Sequence, residues 1–401
     1  MKTITYYSRI FTSFFFMSHM LLSSYCHSQS GICIELNSQA AVDSWANPIP
    51  ISWNGSIRIS GEDITNVDSL YSLISVIGFS PCNGAEALVI ENNPLLTNLD
   101  GLANLEQLGS GIRIENNPLL SNIDSLQYVT STSKLVIKNN PSLAHLQINF
   151  RLTGDTEISI IDNPSLMSID SSSNTFDYPA LNNIVIDNND ALTALPFLEA
   201  VAEVYGNVQI SNNESLENLD CFSNLEFIED SLTLHNNAVL TSLSGFSNLI
   251  ELNSLHVSDN VNIKSSDFCT FSDLCVTNPP SNIVITGNLG NPTLRELQSI
   301  GQCATFKIGP TGYSTLEEAL LNSEEHDFIY MTEDYTINTP VTFPDTNEVT
   351  LITEPDVTLT IDGADFTNDG IIVNHGIMDF INGADLTTRT AIVNTGTINL
   401  E

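Results

Sequence analysis

A paired asparagine, or a close equivalent, recurs along this chain at a spacing that restricts the fold more than any other feature. The second Asn of the pair falls at Asn93, Asn117, Asn140, Asn189, Asn213 and Asn237, with Asn163, Asn260 and Asn288 in looser copies. In chain order the steps are 24, 23, 23, 26, 24, 24, 23 and 28 residues. A period of roughly 20–50 residues marks a solenoid, because one such unit cannot bury its own apolar face and must stack on its neighbours.

Each copy opens on a short alternating stretch, such as "LVIEN", "IRIEN", "IVIDN" or "LTLHN", which predicts a strand with one buried face. Leu88, Ile90, Ile112 and Ile114 are expected to point inward, and Val89, Glu91, Arg113 and Glu115 outward. In-register stacking predicts a parallel sheet with strands ~4.7 Å apart and a body on the order of 40 Å long. Where the chain leaves the strand and turns inward, its N–H and C=O groups lose their ladder partners, and buried unpaired backbone groups are costly. An Asn side chain offers both a donor and an acceptor to the coils above and below. The nine Asn named above are therefore read as one structural ladder. The Pro that often follows (Pro94, Pro118, Pro141, Pro164) suits a rigid turn, and leucines spaced at threes fill the coil.

The stretch "NNPLLTNLDGLANLEQLGSGIRIENN" resembles the receptor L-domain class of leucine-rich repeat, found in secreted and surface proteins of Gram-negative bacteria. The resemblance spans about residues 57–303. "ISGEDITNVDSLYSLISVIG" is similar to the first coil of such proteins, and "NPTLRELQSIGQC" to their closing helix. It implies a mainly β, parallel-strand solenoid and an extracellular setting. It implies no ligand, because members differ in what they bind.

The ends read differently. Residues 1–28 carry Lys2 and Arg9, an apolar run and a small, polar close, the pattern of a secretory signal peptide. Export places Cys33, Cys82, Cys221, Cys269, Cys275 and Cys303 in an oxidising setting, with connectivity open. Pairs Cys33–Cys82 and Cys275–Cys303 are expected to close the two ends of the solenoid, and Cys221 shares a small-residue slot with Gly101, Ser125 and Gly245. Residues 29–87 are expected to form the N-terminal cap and first coil, with Trp45 and Trp53 as covers, and residues 88–304 the repeat body. The closing helix is expected to have Pro292 near its first turn and Gly301 at its end. In residues 305–401 "DGADFTNDGIIVNHGIMDF" is answered 20 residues later by "NGADLTTRTAIVNTGTINL". This is similar to the start of a right-handed parallel β-helix of the pectate-lyase-like or adhesin type. An amphipathic helix, capped by Ser314 and Glu317, is expected to precede it. The pattern stops in mid-coil at Glu401, so further coils are expected beyond it.

Lys and Arg number 11 against 48 Asp and Glu, a net charge of −37. Such a chain repels nucleic acid and anionic membranes, and neither is expected as a partner. No run after residue 28 reaches the ~20 apolar residues of a membrane helix. The search for chemistry returns little. His235 and His256, on adjacent coils, can approach a shared Zn²⁺, but the sequence supplies no third ligand. Asp365 and Asp385 share a slot one coil apart, so Ca²⁺ is conceivable there, and no other cofactor is expected; Asp362, Asp365, Asp379 and Asp385 read more simply as turn residues. No phosphate loop, nucleophile elbow or metalloprotease helix appears.

What remains is the outward sheet face. One column reads Val89, Arg113, Val136, Ser159, Val185, Gln209, Thr233, His256, Val284, and the other Glu91, Glu115, Lys138, Ile161, Asp187, Ser211, His235, Ser258, Thr286. Candidate binding residues are Arg113, Glu115, Lys138, Asp187, Gln209, His235 and His256. The expectation is a non-catalytic, exported recognition or adhesion protein that binds an extracellular protein or glycan. The alternative is the targeting portion of a β-helix polysaccharide-degrading enzyme.

Overall fold

In the computed structural model of the protein, each inner asparagine is buried at a corner and bonded to neighbouring turns of chain. Asn117 is representative. Its Nδ2 donates to Ile90 O of the preceding coil (3.0 Å), to Glu115 O of its own strand (3.1 Å) and to Asn140 Oδ1 of the next coil (3.2 Å). Its Oδ1 accepts from the main-chain N–H of Asn93 (3.2 Å) and from Asn93 Nδ2 (3.0 Å). The same bonds to flanking coils run through Asn140, Asn163, Asn189, Asn213, Asn237 and Asn260. The row begins where Gly61 N–H donates to Asn93 Oδ1 and ends where Asn291 Oδ1 accepts from Asn288, in place of a further coil. Asn291 was not singled out from the sequence.

The structure describes residues 32–400 except 47–48, 79–85, 130–131, 148–151, 171–179, 301–302, 304–305, 309–310, 325–326, 344–348 and 356. The fold is mainly β and is a parallel-strand solenoid. One side of the first solenoid is a single parallel sheet. It runs Ile32–Leu36, Gly55–Ile59, Leu88–Glu91, Ile112–Glu115, Thr132–Lys138, Leu152–Ile161, Asn183–Asp187, Val208–Ser211, Phe227–His235, Glu251–Ser258 and Asn282–Thr286. A second side carries Ile51–Trp53, Leu73–Val76 and Gln107–Leu108. A third is built of 3-10 turns such as Asp100–Leu102, Asp220–Phe222 and Ser244–Phe246. These turns follow from an Asx geometry. Asn98 Oδ1 accepts from Asp100 N–H at 3.1 Å, and Asn122 Oδ1 from Asp124 N–H at 2.7 Å. The inward rows of Leu and Ile are buried, and Phe222, Phe246 and Phe271 stack with centroids 5.2 and 6.1 Å apart. In the slot shared by Gly101, Ser125, Cys221 and Gly245, a Cβ on Gly101 would meet Val67 O at 1.8 Å and one on Gly245 would meet Leu219 O at 1.9 Å. The corner admits only small groups there.

The first Asn of each pair has its own constraint. Asn92, Asn116, Asn139, Asp162, Asn188, Asn212, Asn236 and Asp259 have φ between 51° and 58°, and Gly287 has 71°. This left-handed turn redirects the chain off the strand, and Asn, Asp and Gly are the residues that tolerate it.

The C-terminal end of this solenoid carries one correction. Cys303 bonds Cys269, not Cys275, with Cα atoms 5.0 Å apart. The segment around residues 265–277 is helical (Ser265–Phe271, then Ser272–Thr277), which turns Cys269 toward Cys303 and Cys275 into the core. Burial pushes the free Cys275 thiol up to about 11. Cys33 is disulfide-bonded, while Cys82 lies outside the described residues, as does Gly301. The closing helix, Leu294–Ile300, starts two residues after Pro292, with Thr293 and Glu296 bonded in its first turn. At the other end Trp53 is buried, with Trp45 edge-on to it at 6.2 Å.

A second core gathers Phe306, Phe343, Phe366 and Phe380. Around it three sheets are wound, each with one parallel strand per coil, the first extended antiparallel by Phe306–Ile308 and Thr311–Tyr313. Phe328–Met331, Thr350–Thr353, Ile371–Asn374 and Ile392–Asn394 make one. Tyr335–Ile337, Thr358–Asp362, Ile377–Ile381 and Thr397–Leu400 make another, and Val341–Phe343, Asp365–Asn368 and Asp385–Thr388 the third. The helix before them, Leu316–Asn322, is capped one residue later than the sequence suggested. Thr315 Oγ1 accepts from Glu318 N–H (3.1 Å), because helix formation begins at buried Leu316, and Glu318 takes the Ser314 hydroxyl (2.9 Å).

Two predictions follow from the corners and the cysteines. Asn117→Ala should lower stability by about 2–4 kcal/mol, since it strands several buried polar groups. Asn116→Gly should cost under ~1 kcal/mol, since glycine suits its φ. Urea midpoints of the two variants decide this, and equal shifts would refute the distinction. Under native, non-reducing conditions iodoacetamide should leave Cys275 unmodified, whereas denaturant alone should expose it. Peptide mapping should recover a Cys269–Cys303 crosslink.

Candidate functional site: the outward face of the main sheet

Register places three outward columns side by side on the main sheet, two of them those read from the sequence. The third lies two residues earlier in each strand, at Lys134, Glu157, Asn183, Asn207, Ser231, Ser254 and Asn282. Reading the sequence missed this column; extending the alternation back by two residues would have found it.

The N-terminal half of the face is ionic. Arg113 Nη2 meets Glu86 Oε2 at 2.8 Å, and Glu86 is fully buried. Lys134 Nζ lies 3.6 Å from Glu86 and 2.9 Å from Glu157. Arg58 bonds Glu91 at 2.7 Å. Glu115 stands 4.0 Å from both Arg113 and Lys138. Desolvation opposes the Arg113 charge, but the hydrogen bond and charge of Glu86, with Glu115 and Glu91 behind it, outweigh that cost and hold its pKa above the ordinary value. Val89, expected to point outward, is buried; its register neighbours are Arg58 and Arg113, the two arginines of this network.

The C-terminal half is almost free of charge. Over the strands Asn183–Asp187, Val208–Ser211, Phe227–His235, Glu251–Ser258 and Asn282–Thr286, Asp187 is the one carboxylate among the outward residues of the three columns. Asp187 Oδ1 accepts from Ser211 Oγ (2.7 Å) and Asn212 Nδ2 (2.8 Å), and Gln209 Nε2 donates to Ser211 Oγ (3.1 Å). Ser231 Oγ donates to Asn207 Oδ1 at 2.6 Å. The amides and hydroxyls thus hold one another in fixed orientations.

The two histidines stay apart in role. His235 is in register with Ser258 and His256 with Thr233, one column over. His235 Nδ1 lies 2.9 Å from Ser258 Oγ and 3.3 Å from Asp259 Oδ2. His256 Nε2 lies 3.1 Å from Ser254 Oγ and 2.6 Å from Asn282 Nδ2. His235 Nδ1 thus faces a hydroxyl and the Asp259 carboxylate, and His256 Nε2 a hydroxyl and an amide; no group of three metal-ligating side chains occurs among the described residues. Nor does Ser258–His235–Asp259 form a nucleophile relay, which uses opposite ring nitrogens for Ser and Asp. In the second solenoid Asp362 and Asp379 accept from Asn382 and Asn399 of the next coil, while Asp365 and Asp385 are register partners and exposed.

This is a parallel-strand solenoid of leucine-rich-repeat type with an ordered polar face. Residues 180–280, about a quarter of the chain, match the family model described as Receptor L domain. An internalin from Listeria monocytogenes is similar at 13% identity, covering 67% of this chain and 83% of that chain with a TM-score of 0.29. That superposition is too loose to support a functional comparison. No curated protein matches the chain. No helix among the described residues is long and apolar enough to cross a membrane.

Glu86 supplies the prediction for this face. Removing one partner of a buried ion pair leaves the other charge unpaired, whereas an exposed pair contributes little. Glu86→Ala should therefore cost about 2 kcal/mol, with Arg113 partly solvated, and Glu157→Ala less than ~1 kcal/mol. Thermal and urea unfolding of both variants would show the ranking.

Proposed function

We propose that this chain is an exported, non-catalytic recognition protein that engages an extracellular protein or glycan through the outward face of its main sheet. The carrying observation is the distribution of charge. In a chain of net charge −37, the face gathers Arg58, Arg113, Lys134 and Lys138 at one half, and at the other Asp187 is the one carboxylate of its three columns, with Glu229, Asp230 and Glu251 preceding those columns in their strands. A face relieved of the molecule's own repulsion is where a second macromolecule can approach closely. Its amides and hydroxyls are already ordered, so less entropy is lost when a partner binds. The Receptor L domain match over residues 180–280 supports a binding role, and falls on the neutral half.

We read residues 1–28 as a signal peptide, 29–304 as the recognition solenoid and 305–401 as coils akin to pectate-lyase-like or adhesin β-helices. The signal-like segment and the repeat class support secretion, or display on the cell surface, by a Gram-negative bacterium.

The test is a protein and glycan array probed with the full chain, followed by affinity measurement. Gln209→Glu with Thr233→Glu, which restores acidity to the neutral half, should weaken the selected partner at least tenfold. Ser247→Glu, at an exposed turn on another side, should leave affinity unchanged. Equal effects from both variants would refute the assignment to this face.

A further inference from the structure

Beyond the sheet face, a groove of about 360 Å³ runs along the neighbouring corner, lined by Glu62, Asn92, Pro94, Asn116, Pro118, Asn139 and Pro141. Its polar wall is the outer asparagine row. Asn116 Nδ2 donates to Asn92 Oδ1 at 3.1 Å, and Asn139 Nδ2 to Asn116 Oδ1 at 2.6 Å. A side-chain amide has two N–H donors and a carbonyl with two lone pairs. Each of the three therefore keeps at least one donor and one acceptor site beyond this row, while the row itself fixes their orientation. The opposite wall is aliphatic, made of the pyrrolidine rings of successive coils. Next to it Leu95 and Leu119 stand 45% and 49% exposed. Pro164 continues the slot for one coil, where Asp162 replaces the outer Asn, and the slot then becomes Asp190 and Glu214, so the pairing of outer Asn with Pro belongs to the coils of Asn93 to Asn140.

We propose that this groove is a second binding site, for a neutral, hydroxyl-rich linear glycan lying along the solenoid axis. Neutrality follows from the lining, whose one ionisable residue is Glu62, and from the overall charge, which repels acidic chains. The choice of a glycan follows from spacing. The amides recur once per coil, at about 4.8 Å, so Asn92 and Asn139 stand roughly 9.6 Å apart, close to the two-unit repeat at which an extended β-1,4-linked chain turns the same edge to one side. An extended peptide presents its same-side polar groups every second residue, roughly 6.8 Å apart, and falls out of step within two coils. The ordered amides meet sugar hydroxyls with donors and acceptors in repeating positions, and the proline wall receives the C–H faces of the rings.

The full chain is titrated calorimetrically with cellohexaose, xylohexaose, mannohexaose and chitohexaose. At least one should bind saturably. Asn116→Gly with Asn139→Gly should weaken it at least tenfold, because glycine keeps the left-handed turn and removes the amide. Pro118→Glu, which copies the residue of a later coil at the same slot, should do the same with the unfolding midpoint retained. The sheet-face pair Gln209→Glu with Thr233→Glu should leave oligosaccharide affinity unchanged, so failure here is separable from failure of the sheet-face reading. Absence of binding by all four sugars, binding indifferent to both groove variants, loss through the sheet-face pair, or a protein partner displaced by the groove variants would each overturn the proposal.

Discussion

Every coil of the first solenoid must turn its backbone inward once, and at that bend the strand ladder can no longer satisfy the N–H and C=O groups. The inner asparagines answer this by sharing one amide among adjacent turns, as Asn117 does with Ile90, Asn93 and Asn140. A bond lost there exposes no group to water, so the cost is that of a buried unsatisfied dipole rather than of an exchanged hydrogen bond. Coil height, sheet register and the position of every outward side chain follow from this row. Its termination at Asn291 matters for the same reason, because without Asn291 Oδ1 the main-chain N–H of Asn288 would lose its acceptor.

On that frame the molecule spends its few cations with economy. Of the 11 Lys and Arg, Arg58, Arg113, Lys134 and Lys138 lie on one face and are held by Glu91, Glu86, Glu157 and Glu115. The pairs fix the face more than they stabilise the fold, since all but Glu86 keep partial contact with water. Beyond them the face relies on neutral groups that bond one another, as Asp187, Ser211 and Gln209 do.

The solenoid was legible because its constraint is periodic: one buried amide per coil leaves one Asn per coil in the sequence. The outer row was equally visible and went unread. Its occupants, Asn, Asp and Gly alone, are the residues of the left-handed turn, and that restriction is itself the signal. Non-periodic features were harder. Whether Cys269 or Cys275 faced Cys303 depended on which side of a short helical insertion each residue fell, and no repeat fixes that phase. The cap of Leu316–Asn322 was misplaced because "STLEE" fits a cap at Ser314 or Thr315 equally well, and burial of Leu316 decides between them. Val89 obeyed the alternation and was still buried, between the two arginines of a network invisible to a period of two. For the histidines, sequence gave adjacency; only register gave the offset that sends His235 to Ser258 and His256 to Asn282.

The two solenoids distribute polar groups differently, and this bears on where recognition can occur. In the second, side chains pair coil to coil with a 20-residue step. Asn382 bonds Asp362, Asn399 bonds Asp379, Arg389 bonds Asp369 and His375 bonds Thr395, while the buried Asn374 joins Asn394. There, much of the side-chain hydrogen bonding joins one coil to the next. In the first, Asn92, Asn116 and Asn139 also bond coil to coil, but the buried row beneath them already holds the corner. A ligand that rearranged Asn382 would disturb a surface contact between coils; one that rearranged Asn116 would leave the buried bonds of Asn117 in place. The recognition capacity of the chain therefore concentrates where an internal ladder has made the surface ladder dispensable.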